Sequence, residues 1–210
     1  MNIQKFTFNP FQENTYILYD ETKECIIVDP GCYTEEEEKE LVRFIEINEL
    51  KPVKLINTHC HIDHICGNMF IHRKYQLPLE ASLEDAYNLD LSVQAGKMYG
   101  VPIVPSPEIA IPIKEGDQIH FGHSSLSILE TPGHSKGSLS FYTKADAFIL
   151  SGDALFRMSI GRTDLPGGHH ETLLNSIRTK LFTLPKETTV YSGHGDETTI
   201  GYEIKNNPFF

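Results

Sequence analysis

The segment THCHIDHICG at positions 58–67 is the feature that most restricts how this chain can fold. It follows a short strand-like stretch, so His59 and His61 stand two residues apart on one side of an extended chain. Asp63 and His64 come next, where the chain turns toward a helix. Four side chains that can bind a metal ion thus converge within six residues. This pattern indicates a metal-binding loop between a strand and a helix.

The donor types narrow the choice of metal. Imidazole and carboxylate donors suit zinc, iron or manganese and do not need a thiolate. The spacing differs from that of a helical metalloprotease site, which has histidines at positions i and i+4 with a glutamate between them. Three further candidates, His134, Asp153 and His194, each follow a glycine shortly after a strand-like segment. Taken singly, each of the three could equally belong to a structural loop.

Strand and helix patterns recur in both halves of the chain. Apolar runs between turn signals predict strands at 3–8, 15–19, 25–28, 54–57, 109–113, 118–121, 126–129, 139–142, 147–150 and 188–191. Helical spacing predicts helices over 35–49 and 68–75, one or two over 82–99, and a last helix over 171–181. This order fits a layered α/β sandwich with facing sheets and outer helices. At about 150 residues per domain, a single domain over 1–210 is expected.

Charge and composition argue against several classes of partner. The chain has 18 Lys and Arg against 29 Asp and Glu, a formal net charge of −11. That charge repels nucleic-acid phosphates and anionic membrane surfaces, so neither partner is expected. The N-terminal segment lacks a signal-peptide pattern, and no apolar run reaches the ~18 residues of a membrane helix. We therefore expect a cytoplasmic protein whose four cysteines are free thiols.

With its candidate ligands in this order and spacing, the sequence resembles the metallo-β-lactamase superfamily. Within it the chain is similar to the glyoxalase II (hydroxyacylglutathione hydrolase) branch. The segment GRTDLPGG at 161–168 and the ending near NPF at 207–209 resemble the short bacterial hydrolases of that branch. The resemblance covers essentially the whole chain. It implies a four-layer αββα sandwich without the C-terminal helical substrate domain of larger relatives.

The resemblance also implies a dinuclear metal centre, with zinc as the first choice and iron or manganese compatible. One ion would be held by His59, His61 and His134, the other by Asp63, His64 and His194, with Asp153 bridging both. Asp29, in the sequence VDPG, matches a family carboxylate that orients the ligand loops by hydrogen bonds. The alternative for Asp29 is a turn-forming residue before a proline.

The implied reaction is hydrolysis of a glutathione thioester such as S-D-lactoylglutathione by attack of a metal-bridging hydroxide, with Asp63 and Asp153 as catalytic residues. Two metals ~3.5–4 Å apart can lower the pKa of a shared water molecule and polarise the carbonyl. A thiol leaving group of pKa ~8.5 is easily expelled. Arg162 matches a basic residue that binds the glutathione carboxylate, and Lys136 is a second candidate at the rim. Alternatively, Arg162 pairs with Asp164 in a structural role.

Other activities remain compatible with these residues. A persulfide dioxygenase with a single iron shares the segment at 161–164, and oxygen uptake with iron-only metal content would identify it. Hydrolysis of another small ester or a lactone by the same metal pair is a further alternative. For the thioesterase hypothesis, the expected partner is a small-molecule thioester. The sequence predicts no oligomeric state.

Overall fold

The computed structural model describes residues 1–210, and its internal packing divides them into two units. The first unit comprises Met1–Ile113 and His120–Ser125, and the second comprises Lys114–Ile119 and Leu126–Phe210. The assignment of a single domain to the whole chain is not tested by this division and stays a prediction.

The first unit is built on a six-stranded sheet. Its strands lie in chain order: β1 (Asn2–Phe8), β2 (Glu13–Tyr19), β3 (Glu24–Val28), β4 (Lys51–Ile56), β5 (Leu79–Ala81) and β6 (Ile109–Pro112). Strands β1 to β3 form an antiparallel meander, whereas β3 to β6 pair in parallel. Parallel neighbours need long crossover connections, and helices supply them here.

Four helices belong to this first unit. They are α1 (Glu35–Ile47), α2 (Ile62–Ile65), α3 (Asn68–Tyr75) and α4 (Ala86–Tyr99), the last preceded by a 3₁₀ turn at Leu83–Asp85. The Thr34 hydroxyl accepts a hydrogen bond from the backbone N–H of Glu37, and the Glu37 carboxylate accepts one from that of Thr34. This capping box fixes the start of α1, whose Leu41 and Ile45 pack into the apolar core beside the sheet.

A second six-stranded sheet forms the centre of the second unit. The strands along the chain are β7 (Gln118–Phe121), β8 (Ser124–Glu130), β9 (Leu139–Thr143), β10 (Phe148–Gly152), β11 (Leu155–Phe156), β12 (Ser159–Ile160), β13 (Thr189–Ser192) and β14 (Thr198–Thr199). The order in the sheet is β14-β13-β10-β9-β8-β7, while β11 and β12 form a separate hairpin. Strand β9 is antiparallel to both β8 and β10, and β10 is parallel to β13. Strands β8, β10 and β13 therefore run in the same direction.

The helices of the second unit correct one prediction. Helix α5 (His170–Ser176) continues into a π-helical turn at Ile177–Leu181, which together match the helix predicted over 171–181. That helix is not the last, because α6 (Ile200–Asn206) follows β14. None of the helices in the structure is both long and apolar enough to cross a membrane. The four cysteines are free thiols, as predicted.

Asp20, which follows β2, holds the turn between β7 and β8 within the first unit. Its buried carboxylate accepts hydrogen bonds of 2.5 to 3.0 Å from the backbone N–H groups of Thr22 and His123 and the hydroxyls of Thr22 and Ser124. Burial alone would raise the pKa of Asp20, but these hydrogen bonds to the ionised form lower it to about 2.

Replacement of this carboxylate tests its contribution to the fold. Asp20→Ala is expected to lower the free energy of unfolding at pH 7 by about 2 kcal/mol, because four hydrogen-bond donors lose their charged acceptor. The pKa of Asp20 is lower in the folded than in the unfolded chain (about 4), so its contribution is complete above about pH 4 and lost toward pH 2. Urea unfolding of the metal-free protein at pH 7 and pH 3 measures the difference.

The control is Glu21→Ala, since Glu21 forms only an exposed pair with His123. This variant should resemble the wild type at both pH values. The assignment would be wrong if the wild type and Asp20→Ala differed as much in free energy of unfolding at pH 3 as at pH 7.

Candidate metal centre

The predicted histidine segment joins β4 to α2 in the first unit. The ring centroid of His59 lies 4.8 Å from that of His61 and 4.1 Å from that of His64. Nε2 of His64 lies 3.7 Å from Oδ2 of Asp63. The first unit thus brings together all four of its predicted ligands.

Asp29 holds the start of this segment. It directly follows β3, the parallel neighbour of β4, so its carboxylate reaches the residues that follow β4. Oδ1 accepts the backbone N–H of Thr58 at 2.7 Å, and Oδ2 accepts the Thr58 hydroxyl at 2.6 Å and lies 3.1 Å from Nδ1 of His64. The same Thr58 hydroxyl oxygen lies 3.1 Å from Nδ1 of His59. One buried carboxylate thus orients two of the predicted ligands.

These contacts also indicate which ring nitrogen of each histidine is available to bind a metal. An ionised carboxylate only accepts hydrogen bonds, so Nδ1 of His64 carries the proton that it shares with Asp29. The hydroxyl of Thr58 donates to Asp29, so it accepts from Nδ1 of His59. In both neutral rings the lone pair is therefore on Nε2, and this atom can bind a divalent metal.

The second unit gathers its three predicted ligands through strand direction. His134, Asp153 and His194 follow β8, β10 and β13, which run in the same direction and so end at the same edge of the sheet. Oδ2 of Asp153 lies 3.5 Å from Nε2 of His134 and 3.6 Å from Nε2 of His194. Asp153 and His134 are buried, and His194 is partly exposed.

The β11–β12 hairpin returns the chain to His134. It brings the carbonyl of Arg162 to 2.8 Å from Nδ1 of His134, which must donate because a carbonyl only accepts. Gly161 makes this return possible, since a Cβ at that position would lie 1.9 Å from the carbonyl oxygen of Asp153. The signal for this role was present in the predicted segment at 161–168, but it concerns a backbone atom of Arg162 rather than its guanidinium.

The donor atoms have the spacing of ligands that share an ion. Two ligands ~2.1 Å from one metal at a tetrahedral angle are about 3.4 Å apart, whereas hydrogen-bonded nitrogen and oxygen atoms are about 2.7–3.2 Å apart. The three separations of 3.5, 3.6 and 3.7 Å fit the first case better. Imidazole and carboxylate groups are also the donors that divalent zinc, iron and manganese accept. In each unit, the predicted ligands therefore have the donor types and the spacing that a divalent metal requires.

The chain matches a known protein family over most of its length. The family model described as the metallo-beta-lactamase superfamily matches residues 8–194, a range that includes all seven predicted ligands. The chain belongs to the metallo-β-lactamase superfamily. The predicted α/β fold class with two sheets and accompanying helices is confirmed by this match and by the solved structures below.

Relatives of known sequence are similar over their full length. The probable metallo-hydrolase YqgX of Bacillus subtilis is 39% identical over 100% of this chain and 97% of its own. The hydroxyacylglutathione hydrolase GloC of Haemophilus influenzae is 33% identical over 100% of this chain and 98% of its own. These relatives support a metal-dependent hydrolase and leave its substrate open.

Two solved structures are similar over nearly the whole chain. The BLEG-1 B3 metallo-beta-lactamase has a TM-score of 0.91 at 36% identity and covers 99% of both chains. TTHA1623, solved in a di-iron-bound form, has a TM-score of 0.90 at 33% identity and covers 99% of this chain and 100% of its own. One of these two similar proteins thus binds two iron ions.

The first unit also contains residues that the sequence analysis did not single out. Nδ2 of Asn9 donates to the carbonyls of Gly31 and Asp63 at 3.0 and 2.9 Å. Glu13 is fully buried with Oε1 3.8 Å from Nδ1 of His64, and burial raises the pKa of its carboxyl well above the ordinary value. The sequence signal for Glu13 was the polar run ENT that opens β2. These three polar residues are buried, and buried polar groups need specific hydrogen-bond or charged partners.

The two predicted substrate-binding residues lie at the surface of the second unit. Nε and Nη2 of Arg162 each donate to the Asp164 carboxylate at 2.7 Å, although both side chains are more than half exposed. These hydrogen bonds lower the pKa of Asp164 to about 2. Lys136 is exposed. The structure thus shows the internal pair that was the alternative for Arg162, and substrate binding by Arg162 and Lys136 stays a prediction.

Gly161→Ala tests the packing behind the ligands of the second unit. The added methyl group would overlap the Asp153 carbonyl and approach Nδ1 of His134, so we expect metal affinity to fall at least tenfold. We also expect the free energy of unfolding to fall by about 1–3 kcal/mol from overpacking. Metal titration and urea unfolding measure the two effects.

Gly100→Ala is the matched control because a Cβ there meets no atom within 4 Å. Its positive φ should cost only about 1–2 kcal/mol of stability and leave metal affinity unchanged. If Gly161→Ala bound metal as tightly as the wild type, the close packing of Gly161 against Asp153 would not be needed for metal binding.

Proposed function

We propose that this chain is a dinuclear metallohydrolase. The observation that carries the proposal is the position of Oδ2 of Asp153, within 3.6 Å of Nε2 of both His134 and His194, as expected of a carboxylate that serves two ions. His59, His61 and His134 would hold one ion and Asp63, His64 and His194 the other, with Asp153 bridging. Two divalent ions, when bound, lower the pKa of a water molecule and polarise a carbonyl group.

The residues of the chain contribute by holding donor atoms in place. Asp29 and Thr58 keep Nδ1 of His59 and His64 protonated, and the Arg162 carbonyl does the same for His134. Because these rings are fixed by protein hydrogen bonds, they need little reorganisation to bind an ion. Zinc is our first choice of metal, and the di-iron form of TTHA1623 supports iron as a second.

We propose a glutathione thioester, such as S-D-lactoylglutathione, as the substrate. The similarity to GloC supports this choice. A thiol of pKa ~8.5 leaves without a dedicated general acid, which suits a site whose known groups are metal ligands. The formal net charge of −11 favours a small-molecule substrate over a nucleic-acid or membrane partner. A cytoplasmic location is part of the same proposal.

Thiol release from S-D-lactoylglutathione by the metal-loaded protein tests this function. We expect rapid release by the wild type and a fall in kcat of about 100-fold or more in Asp63→Ala, since one ion loses a ligand. Asp90→Ala is the control because Asp90 is an exposed aspartate of α4. Metal removal by a chelator should abolish release, and return of zinc or iron should restore it.

Other results of that assay would favour other functions. The similarity to the BLEG-1 B3 metallo-beta-lactamase makes β-lactam hydrolysis the second candidate, and cleavage of nitrocefin without thiol release would support it. Oxygen uptake with glutathione persulfide by protein that holds one iron would identify a persulfide dioxygenase. Activity on lactones alone would identify the ester hydrolase. Any of these outcomes overturns the thioesterase proposal.

Arg162→Ala separates the two roles of Arg162, because the variant keeps the backbone carbonyl that accepts from His134. If the guanidinium binds a substrate carboxylate, KM should rise about tenfold with little change in kcat. Asp164→Asn is the matched variant and should lower KM, since it weakens the competing ion pair. Steady-state kinetics with metal-loaded enzymes give both constants. If KM were unchanged in both variants, Arg162 would not bind the substrate, and its side chain would serve only the surface ion pair with Asp164.

A further inference from the structure

Asp85 is a buried carboxylate to which neither the sequence analysis nor the proposed reaction gives a role. It ends the 3₁₀ turn before α4 and stands at the N-cap of that helix. An aspartate there ordinarily accepts a hydrogen bond from the first turn of its own helix, but the Asp85 side chain makes no such bond. Its Oδ2 instead accepts the backbone N–H of Cys60 at 2.8 Å.

The Cys60 N–H lies between two of the predicted ligands. Cys60 separates His59 from His61, and its own side chain is buried in an apolar cluster with Ile65 and Ala81. Asp29 accepts the N–H of Thr58 in the same way. Two buried carboxylates thus hold the alternate peptide groups on either side of His59.

The free energy needed to bury the Asp85 carboxylate indicates that its hydrogen bond to Cys60 has a role. A carboxylate with no exposed surface is expensive to bury and persists where strong hydrogen bonds compensate. A hydrogen bond from an N–H to a carboxylate is charge-assisted, shorter and stronger than one to a neutral acceptor. The hydrogen bond from the Cys60 N–H to the Asp85 carboxylate therefore restricts the backbone from which both His59 and His61 project.

We propose that Asp85 is a positioning residue for His59 and His61 and thereby sets the affinity of the ion that they hold. The inference rests on the proposed dinuclear function. The ion assigned to Asp63, His64 and His194 should depend less on Asp85, because Asn9 holds the Asp63 carbonyl and Asp29 holds the ring of His64.

Asp85→Asn and Asp85→Ala test this inference against Glu84→Gln. Glu84 is the adjacent residue, carries the same charge and is exposed, so it controls for charge alone. Each metal-free protein is titrated with zinc in competition with a chromophoric chelator, and then with cobalt to record the ligand-field spectrum. We expect one of the two ions to lose about tenfold in affinity in Asp85→Asn and more in Asp85→Ala. The cobalt spectrum should change for that ion only.

Two results would overturn the inference. One is wild-type affinity for both ions in both Asp85 variants. The other is an equal loss for both ions, which would indicate general destabilisation rather than positioning. All titrations are made well below the thermal midpoint of each variant, and Asp85→Asn preserves side-chain shape if Asp85→Ala fails to fold.

Hydrogen exchange of the Cys60 amide in metal-free protein separates this inference from the proposed function. Exchange should accelerate at least tenfold in Asp85→Ala and remain at the wild-type rate in Glu84→Gln. If the wild type takes up one ion or none, the dinuclear proposal fails on that result alone. The positioning inference is then decided by the amide: unchanged exchange in the Asp85 variants refutes it.

Discussion

The candidate site of the first unit depends on one carboxylate placed by parallel strand pairing. Because β3 and β4 run side by side in the same direction, Asp29 emerges beside the segment that leaves β4. It accepts the backbone and hydroxyl of Thr58 and reaches Nδ1 of His64. The left-handed φ of 50° at Asp29 shows that the backbone departs from its preferred geometry to make these contacts. Hydrogen bonds to an ionised acceptor are strong enough to offset that cost.

The second unit reaches the same result by a different route. No single carboxylate organises its ligands; three strands of equal direction deliver His134, Asp153 and His194 to one sheet edge. A hairpin then supplies the Arg162 carbonyl that orients His134. At His59, His64 and His134 a hydrogen-bond acceptor binds the N–H at Nδ1 and leaves Nε2 for a metal. The hydrogen bonds behind the ligands are therefore as much a part of the site as the donor atoms.

Much of this arrangement follows from the sequence, and its limits have physical reasons. The long strands, the capping box at Thr34 and the spacing of His59, His61, Asp63 and His64 are local patterns and were predictable. The two- and three-residue strands β5, β11, β12 and β14 are too short for periodicity to show. Helix α6 has only seven residues and a glycine at its second position, so it carried little helical signal. The contacts of Asn9 and Asp85 join residues distant along the chain, and no local pattern encodes them.

The structure separates the parts that fix the chemistry from those that can vary. The ligand-orienting groups Asp29, Thr58 and Asp85 are buried, where a substitution leaves a donor without its acceptor. Arg162 and Asp164 are exposed, and their side chains can change at little cost to the fold. Yet the carbonyl of the same Arg162 orients a predicted ligand, and a side-chain substitution leaves that carbonyl in place. A superfamily built this way can keep its metal ligands while its surface residues adapt to different substrates.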